Sequence, residues 1–399
     1  MSATVSSSTS VPASVTPAGH TASAPVIEFT PFVVEGQRAV HGNAFPLALK
    51  LAEGNKQASL PAVKERIQEL AHDGTIRSLL NQRERLSTPL PEVITYNGVI
   101  FFRGLPLKTA ADLSFLVDAF GFREEHQEIG LSGARSSVTK YIKTASELPG
   151  TVSMHFHNEY ARTNHFPEIV FFFSERVPEQ GGQTPLLSSV ELYDRLQQEL
   201  PEFVRDLEEK GIIGRQYYPS KHDPEAAAVG YNWQDSYGFD IQEGDSIEVQ
   251  HAKVEALLAR DVQATAEWQP DAYGDRLHVV QKVPAIRTIR SSGRRSFFNG
   301  LSGVYGNAKR AGSLLPPHKV QNGPGYKLPS SYGDGSPIPD AYHERLIEIQ
   351  DEIGFLVPWQ EGDVAVVNNY TVQHSRTTFV GDRSVLVSLW DDIDDFVRE

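Results

Sequence analysis

Ile169-Val-Phe-Phe-Phe173 limits the possible folds of this chain more than any other run. Its unbroken β-branched and aromatic character leaves no room for a helix period, so it reads as a strand. Two further runs repeat that character near either end of the chain. Gly98-Val-Ile-Phe-Phe-Arg-Gly104 is apolar and closed by glycine, as buried strands are, and Val364-Ala365-Val366-Val367 is a third strand. Ser296 to Asn299 also has strand character, and two strands flanking His374 are expected to join at the Gly381-Asp382 turn.

Helices are expected between these strands. Residues 61–86, rich in Leu, Ile, Arg and Glu, read as helical. Thr109 caps a helix whose Leu113, Leu116, Val117 and Phe120 share one face, and Gly121 stops it. Ser188 or Ser189 begins another with Leu192, Leu196 and Leu200, and Pro201 starts one that ends near Gly211. Asp340 is expected to cap a helix with Tyr342, Leu346, Ile349 and Ile353 on its stripe. Residues 123–150, with few apolar runs, read as a mobile segment, and 312–339, dense in Gly, Pro and Ser, as a long loop. Either is a candidate lid. Residues 214–290 are mixed and polar, an insertion or elaborated rim rather than a separate domain. The expected fold is α+β, mainly β: a double-stranded β-helix (jelly roll) core with flanking helices and a long insertion. It occupies 26–399 as a single domain, behind a disordered Ser/Thr/Ala/Pro tail at 1–25.

Charge and composition remove several classes of function. The net charge of −14 leaves no basic stripe for nucleic acid and no attraction to an anionic membrane. No run approaches the roughly 20 apolar residues of a membrane span. The tail has neither the basic start of a secretory signal nor the arginines of a mitochondrial one. With no cysteine in 399 residues, disulfides, thiolate metal sites and a cysteine nucleophile are excluded. A cytoplasmic enzyme acting on a small molecule is the expectation.

His157 and Glu159 form His-x-Glu, and His374 lies far downstream, after Pro358 to Asp363 and the Val364 strand. Residues two apart in a strand share a face, so His157 and Glu159 can point inward together while Asn158 points away. Two imidazoles and one carboxylate on one side of a metal leave the other positions open, which suits non-haem Fe(II). His155 has the parity to compete, so a His155/His157 pair is a rival ligand set. A zinc hydrolase around the same residues is an alternative, though the chain lacks His-Glu-x-x-His on a helix. A catalytically silent jelly-roll binding module is another.

Gly181-Gly182-Gln-Thr184-Pro-Leu186 alone reads as a hairpin turn, and Arg383, nine residues past His374, as a strand-end charge. Their joint order with His-x-Glu and His374-Ser-Arg376 says more. FFFSERVPEQGGQTPL and LVPWQEGDVAVVNNYTVQHSRTTF resemble the TauD/TfdA family of Fe(II)/2-oxoglutarate-dependent dioxygenases, with a closer likeness to its clavaminate synthase-like branch. The likeness spans roughly 90–390 and is poor through 214–290.

The resemblance implies that His157, Glu159 and His374 bind iron, with 2-oxoglutarate and O2 as co-substrates. It implies that Thr184 helps hold one carboxylate of 2-oxoglutarate and that an arginine after the distal histidine pairs with the other. Relatives carry adjacent arginines where this chain reads Arg383-Ser384, with a further one where Ser388 stands. Strand parity puts Ser384 at the anchoring position and turns Arg383 away, unless a bulge re-aims it; Arg376 is the other candidate. Ser388 argues against an acidic substrate group gripped from that side. The implied reaction couples oxidative decarboxylation to succinate and CO2 with removal of hydrogen from a C–H bond. Hydroxylation, desaturation or ring closure of an amino-acid-like or secondary-metabolite substrate would follow.

Overall fold

The strand Ile169–Arg176 is the middle of the largest sheet in the computed structural model, which describes residues 26–81, 98–130, 135–146, 148–392 and 396. Along this sheet the strands run Phe29–Pro31, Leu47–Leu51, Val99–Arg103, Val364–Asn368, Ile169–Arg176, Ser384–Asp391, Ile142–Thr144 and Ser137–Thr139, with Glu124–Glu125 also paired to Ser384–Asp391. Every pairing is antiparallel except Leu47–Leu51 with Val99–Arg103.

Both faces of this sheet are covered, which explains the unbroken apolar runs. Phe171 and Phe173 join Ile100, Phe102 and Val366 in a core shared with the helices Leu60–His72 and Ala110–Val117. Val170 and Phe172 face the other way, into a core with Ala365, Val367, Leu186 and Val372. Leu186 and Val372 belong to a second, three-stranded sheet ordered Leu186–Ser188, Val372–Arg376, Met154–His157. The two sheets are joined by a short turn from Val364–Asn368 into Val372–Arg376. The molecule is thus mainly β with added helices.

Several helix boundaries follow their local signals. Thr109 and Asp112 form a reciprocal capping box, and Gly121 takes φ +68° after a short 3-10 turn at Asp118–Phe120. Ser188 caps Ser189–Glu199, and Pro201–Lys210 follows. The expected helix at 61–86 is instead two, Leu60–His72 and Thr75–Asn81, because Gly74 at φ +83° breaks it; its end past residue 81 lies outside the described residues. Asp340 is the first helical residue of Asp340–Ile353 rather than its cap, because Pro339 holds the N-cap position without a side-chain bond.

One loop-like reading needs revision, and two other segments gain detail. Residues 123–150 contribute three short strands to one edge of the large sheet, although 131–134 and 147 lie outside the described residues. Polar strands at a sheet edge carry no long apolar run, so pattern reading passes over them. Residues 214–290 hold their own apolar cluster around Trp233, Tyr218, Tyr237 and Leu277. The strands Thr265–Gln269 and Arg276–Val283 of this stretch pair with Ile212–Tyr218, which begins just before it, in a four-stranded sheet completed by Ser331–Tyr332. That last strand ties the 312–339 loop to the same sheet. The tail at 1–25 lies outside the described residues. Among the described residues, no helix is long and apolar enough to cross a membrane.

One ion pair pins the entry to the Val364–Asn368 strand. Arg103 donates from Nε and Nη2 to the two oxygens of Asp363 at 3.0 and 2.7 Å, and Asp363 is 1% exposed. Asp363 also accepts from the Gln360 amide at 2.7 Å, closing the turn. The Arg103 side chain is 21% exposed, so water can reach the charge left behind. Losing the carboxylate then costs less than in a fully buried pair, about 1–3 kcal/mol. Asp363→Ala is therefore expected to lower unfolding stability by about that amount in urea titration; a loss within ordinary surface-mutation scatter would refute the pair's structural role.

Candidate active site

His157 ends the strand Met154–His157 and lies directly across from His374 in the antiparallel ladder, with Leu186 on the other side of His374. The two imidazole rings are 4.4 Å apart between centroids, and His374 Nε2 is 3.1 Å from Glu159 Oε2. Among the described residues, only His157, Glu159 and His374 gather as a possible metal group, their ligand atoms within 4.8 Å of one another. Phe172 from the large sheet packs its ring 4.8 Å from that of His374 and backs it.

Glu159 stands beyond the end of its strand, so ladder parity does not place it. Asn369 does. Its Oδ1 accepts from the Glu159 amide at 2.7 Å, and its Nδ2 donates to the Glu159 carbonyl at 2.9 Å. Asn158 turns inward instead, donating to the carbonyls of Asn369 and Val372 and to Ser189 Oγ, and it accepts from Gln373 Nε2. Gln350 and Ser302 extend this buried chain of amides. A fully satisfied buried network of this kind holds its backbone in one geometry. The Asn368-Asn369 pair after an apolar run was its visible signal in the sequence.

His155 does not join the group. Its ring fills the space beside Gly306, where a Cβ would lie 2.1 Å from Nε2. The rival His155/His157 set is thus not assembled.

Arg135 is a partner that sequence reading missed. It donates from Nη2 to Glu159 Oε1 at 2.8 Å and from Nη1 to Glu128 Oε1 at 3.2 Å. Glu128 in turn meets Lys143 and accepts from the Tyr160 hydroxyl at 2.8 Å. Burial alone would raise the Glu159 carboxyl, but the Arg135 charge and the bond with His374 outweigh it and hold the group well below the usual carboxylate range. Burial, with the neighbouring His374 adding to it, pushes His157 down to about 4. At neutral pH the pair is therefore a carboxylate and a neutral imidazole, the forms that bind metal. His157 Nδ1 lies 2.8 Å from the His155 carbonyl, which fixes the ring and turns Nε2 to the group. This donor set fits Fe(II), with one face of the ion left open.

The Gly181-Gly182 pair has a steric origin. Both take positive φ, +68° and +71°. A Cβ on Gly181 would lie 2.0 Å from the Thr378 carbonyl oxygen, and one on Gly182 would lie 3.0 Å from Arg383 Cδ. This close approach lets Arg383 fold back. Its Nε donates to the Gly182 carbonyl at 2.8 Å and its Nη2 to Thr184 Oγ1 at 3.3 Å.

Simple parity turned Arg383 away; the structure turns it toward Thr184. Arg383 precedes the strand Ser384–Asp391, and the neighbouring strand slips register between Ser174 and Arg176. Ser384 is the residue directed elsewhere, donating to Glu175 Oε2 at 2.7 Å. Ser388 is buried and accepts from Trp390 Nε1 at 2.8 Å. Arg376 donates to the carbonyls of Leu148 and Pro149 at 2.9 and 3.0 Å and also to that of Val152. Both guanidiniums lie over the Phe379 ring, that of Arg376 at 5.3 Å and that of Arg383 at 5.6 Å from its centroid. Burial first, then the Arg376 charge, lowers Arg383 to about 10. Among the described residues no carboxylate pairs with either arginine.

A cavity of about 690 Å³ opens over the group and is lined by His157, Glu159, Arg135, Arg162, Tyr231 and Lys327, among others. His374, Thr184 and Arg383 stand outside that lining.

Residues 64–390 match the family described as "Taurine catabolism dioxygenase TauD, TfdA family". A clavaminate synthase-like protein of Arabidopsis thaliana is 32% identical over 301 residues, covering 75% of this chain and 83% of that one. The dapdiamide synthesis protein DdaC of Enterobacter agglomerans is 24% identical over 318 residues, 76% of this chain and 85% of its own. A taurine dioxygenase from Burkholderia xenovorans, 13% identical, overlays with a TM-score of 0.41 over 94% of this chain and 97% of that one. The matched span carries the His-Glu-His group, Thr184 and Arg383 alike, and the chain belongs to the TauD/TfdA family of Fe(II)- and 2-oxoglutarate-dependent dioxygenases.

Proposed function

We propose that His157, Glu159 and His374 hold Fe(II) from one side, that Thr184 and Arg383 hold 2-oxoglutarate, and that the enzyme removes hydrogen from a C–H bond of an amino-acid-like or secondary-metabolite substrate. Hydroxylation, desaturation or ring closure follows, with release of succinate and CO2. The observation that carries the metal assignment is the cross-strand pairing of His374 with His157, with Glu159 Oε2 at 3.1 Å from His374 Nε2. Bound iron supplies the activation of O2 that side chains lack.

The protein's own groups have simpler tasks. Arg383 offers a half-buried cation without a carboxylate partner among the described residues, and Thr184 Oγ1 lies beside it. A dianionic keto acid would answer that charge and relieve its desolvation. Arg376 already serves three carbonyls, which favours Arg383 as the anchor. Arg135 steadies the Glu159 carboxylate. The cavity wall excludes bulk water and positions the target carbon. We read residues 26–399 as one domain in which the two facing sheets form a jelly-roll core, with 214–290 as its insertion. A zinc hydrolase is disfavoured because, among the described residues, the cavity lining carries no carboxylate besides Glu159 to act as a separate base.

The test is succinate release from 2-oxoglutarate by the purified protein. It is expected to require added Fe(II), to stop with a chelator and to be stimulated by the right small molecule, whose product mass identifies the outcome. Succinate formation indifferent to iron would sink the assignment.

A further inference from the structure

We infer that Arg135 keeps Glu159 a one-oxygen ligand and thereby leaves open the iron position that O2 needs beside the keto acid. The inference rests on the oxygenase reading and deepens it, naming Arg135 as a positioning residue of that site.

The two oxygens of Glu159 face different partners. Oε2 lies 3.1 Å from His374 Nε2, on the side where the three ligand groups converge, while Oε1 accepts from Arg135 Nη2 at 2.8 Å. An octahedral ion held by three single-atom donors keeps three positions open. A chelating keto acid takes two of them, and O2 needs the third. A carboxylate can bind a metal through one oxygen or both, and the second oxygen of Glu159 would fill that third position. With Oε1 engaged by a charge-assisted bond, the two-oxygen mode is closed off.

Arg135 is itself held in place from outside the metal group. Its Nη1 donates to Glu128 Oε1 at 3.2 Å, so one planar fork bridges two acids, a geometry that an ammonium does not reproduce. Glu128 also accepts from the Tyr160 hydroxyl at 2.8 Å and meets Lys143. Lys143 belongs to Ile142–Thr144, which pairs with Ser384–Asp391 in the large sheet, whereas His157 and His374 stand on the three-stranded one. The Arg135 side chain is 14% exposed and that of Glu128 5%, so water competes weakly for their bond. Neutralising a buried carboxylate would need only a nearby charge. A bridging fork with its own anchor fixes which oxygen is engaged.

The experiment uses the full chain, loaded with Fe(II) under anaerobic conditions, and nitric oxide as a stand-in for O2. The iron–nitrosyl signal in electron paramagnetic resonance gives the NO affinity with and without 2-oxoglutarate. The ratio of the two affinities reports whether a position remains once the keto acid is bound. Relative to wild type, Arg135→Met is expected to weaken NO binding ~10-fold or more in the presence of 2-oxoglutarate, with little change in its absence. Arg135→Lys, which keeps the charge but not the fork, is expected to shift the ratio the same way by less, and it carries the test should Arg135→Met fail to fold. A wild-type ratio in Arg135→Met, or in Arg135→Lys where Arg135→Met does not fold, makes Arg135 a structural counter-charge and overturns the inference; equal weakening under both conditions counts the same. A wild-type protein that takes up no iron, or whose nitrosyl signal ignores 2-oxoglutarate, overturns the oxygenase reading and takes the inference with it.

Discussion

His374→Ala is expected to abolish iron-dependent turnover of 2-oxoglutarate while leaving the protein folded, and His157→Ala to do the same. Both imidazoles meet across one ladder position and converge with Glu159 within 4.8 Å. Losing an outer partner of a metal ligand typically costs ~10- to 100-fold in metal affinity, so losing a ligand itself should cost more. The fold should survive, because the ladder bonds belong to the backbone and the neighbouring Asn158, Gln373 and Asn369 network touches neither imidazole. Iron titration and succinate release measure the loss, and circular dichroism checks the fold. Normal turnover in either variant would remove the basis for the metal assignment. Glu159→Ala carries a second consequence. It leaves Arg135 facing only Glu128, so this variant should lose stability as well as iron.

Arg383→Met is expected to raise the KM for 2-oxoglutarate by about 30-fold, which corresponds to roughly 2 kcal/mol for truncating a half-buried, hydrogen-bonded charged partner. Arg383 Nη1 donates to no described residue, whereas Nε and Nη2 lock the guanidinium against Gly182 and Thr184. That posture is what an anchoring arginine needs: orientation supplied by the protein and a free edge for the ligand. Lysine should rescue poorly, since it has no planar fork. Arg376→Met should act differently, loosening Leu148 to Val152 and lowering thermal stability with a smaller change in KM. Calorimetric titration of 2-oxoglutarate into anaerobic, iron-loaded protein separates the two. An unchanged KM in Arg383→Met would reassign the anchor.

The strands at 99–103, 169–176 and 364–368, the capping at Thr109 and Ser188, and the convergence of His157, Glu159 and His374 were all legible in the residues. These features depend on local physics. Buried strands need unbroken apolar runs, helix starts need a side-chain acceptor, and a small set of chemistry-bearing side chains stands out against any background. Gly181-Gly182 was visible too, but not its reason, which is the Thr378 carbonyl and the Arg383 side chain lying against it.

Packing between distant segments settled the remainder. Parity turned Arg383 away and Ser384 inward; a register slip at Ser174 and Arg176, together with Arg383 lying outside the strand, reversed both. Alternation of faces holds only along an unbroken ladder, so a single irregularity defeats it. His155 had the parity of a ligand and lost its place because Gly306 left room for its ring. Arg135 came to Glu159 from a stretch read as mobile, and Lys327 reached the same cavity from a loop. Contacts of that kind join residues far apart in the chain and leave no periodic trace, so only the folded geometry could reveal them.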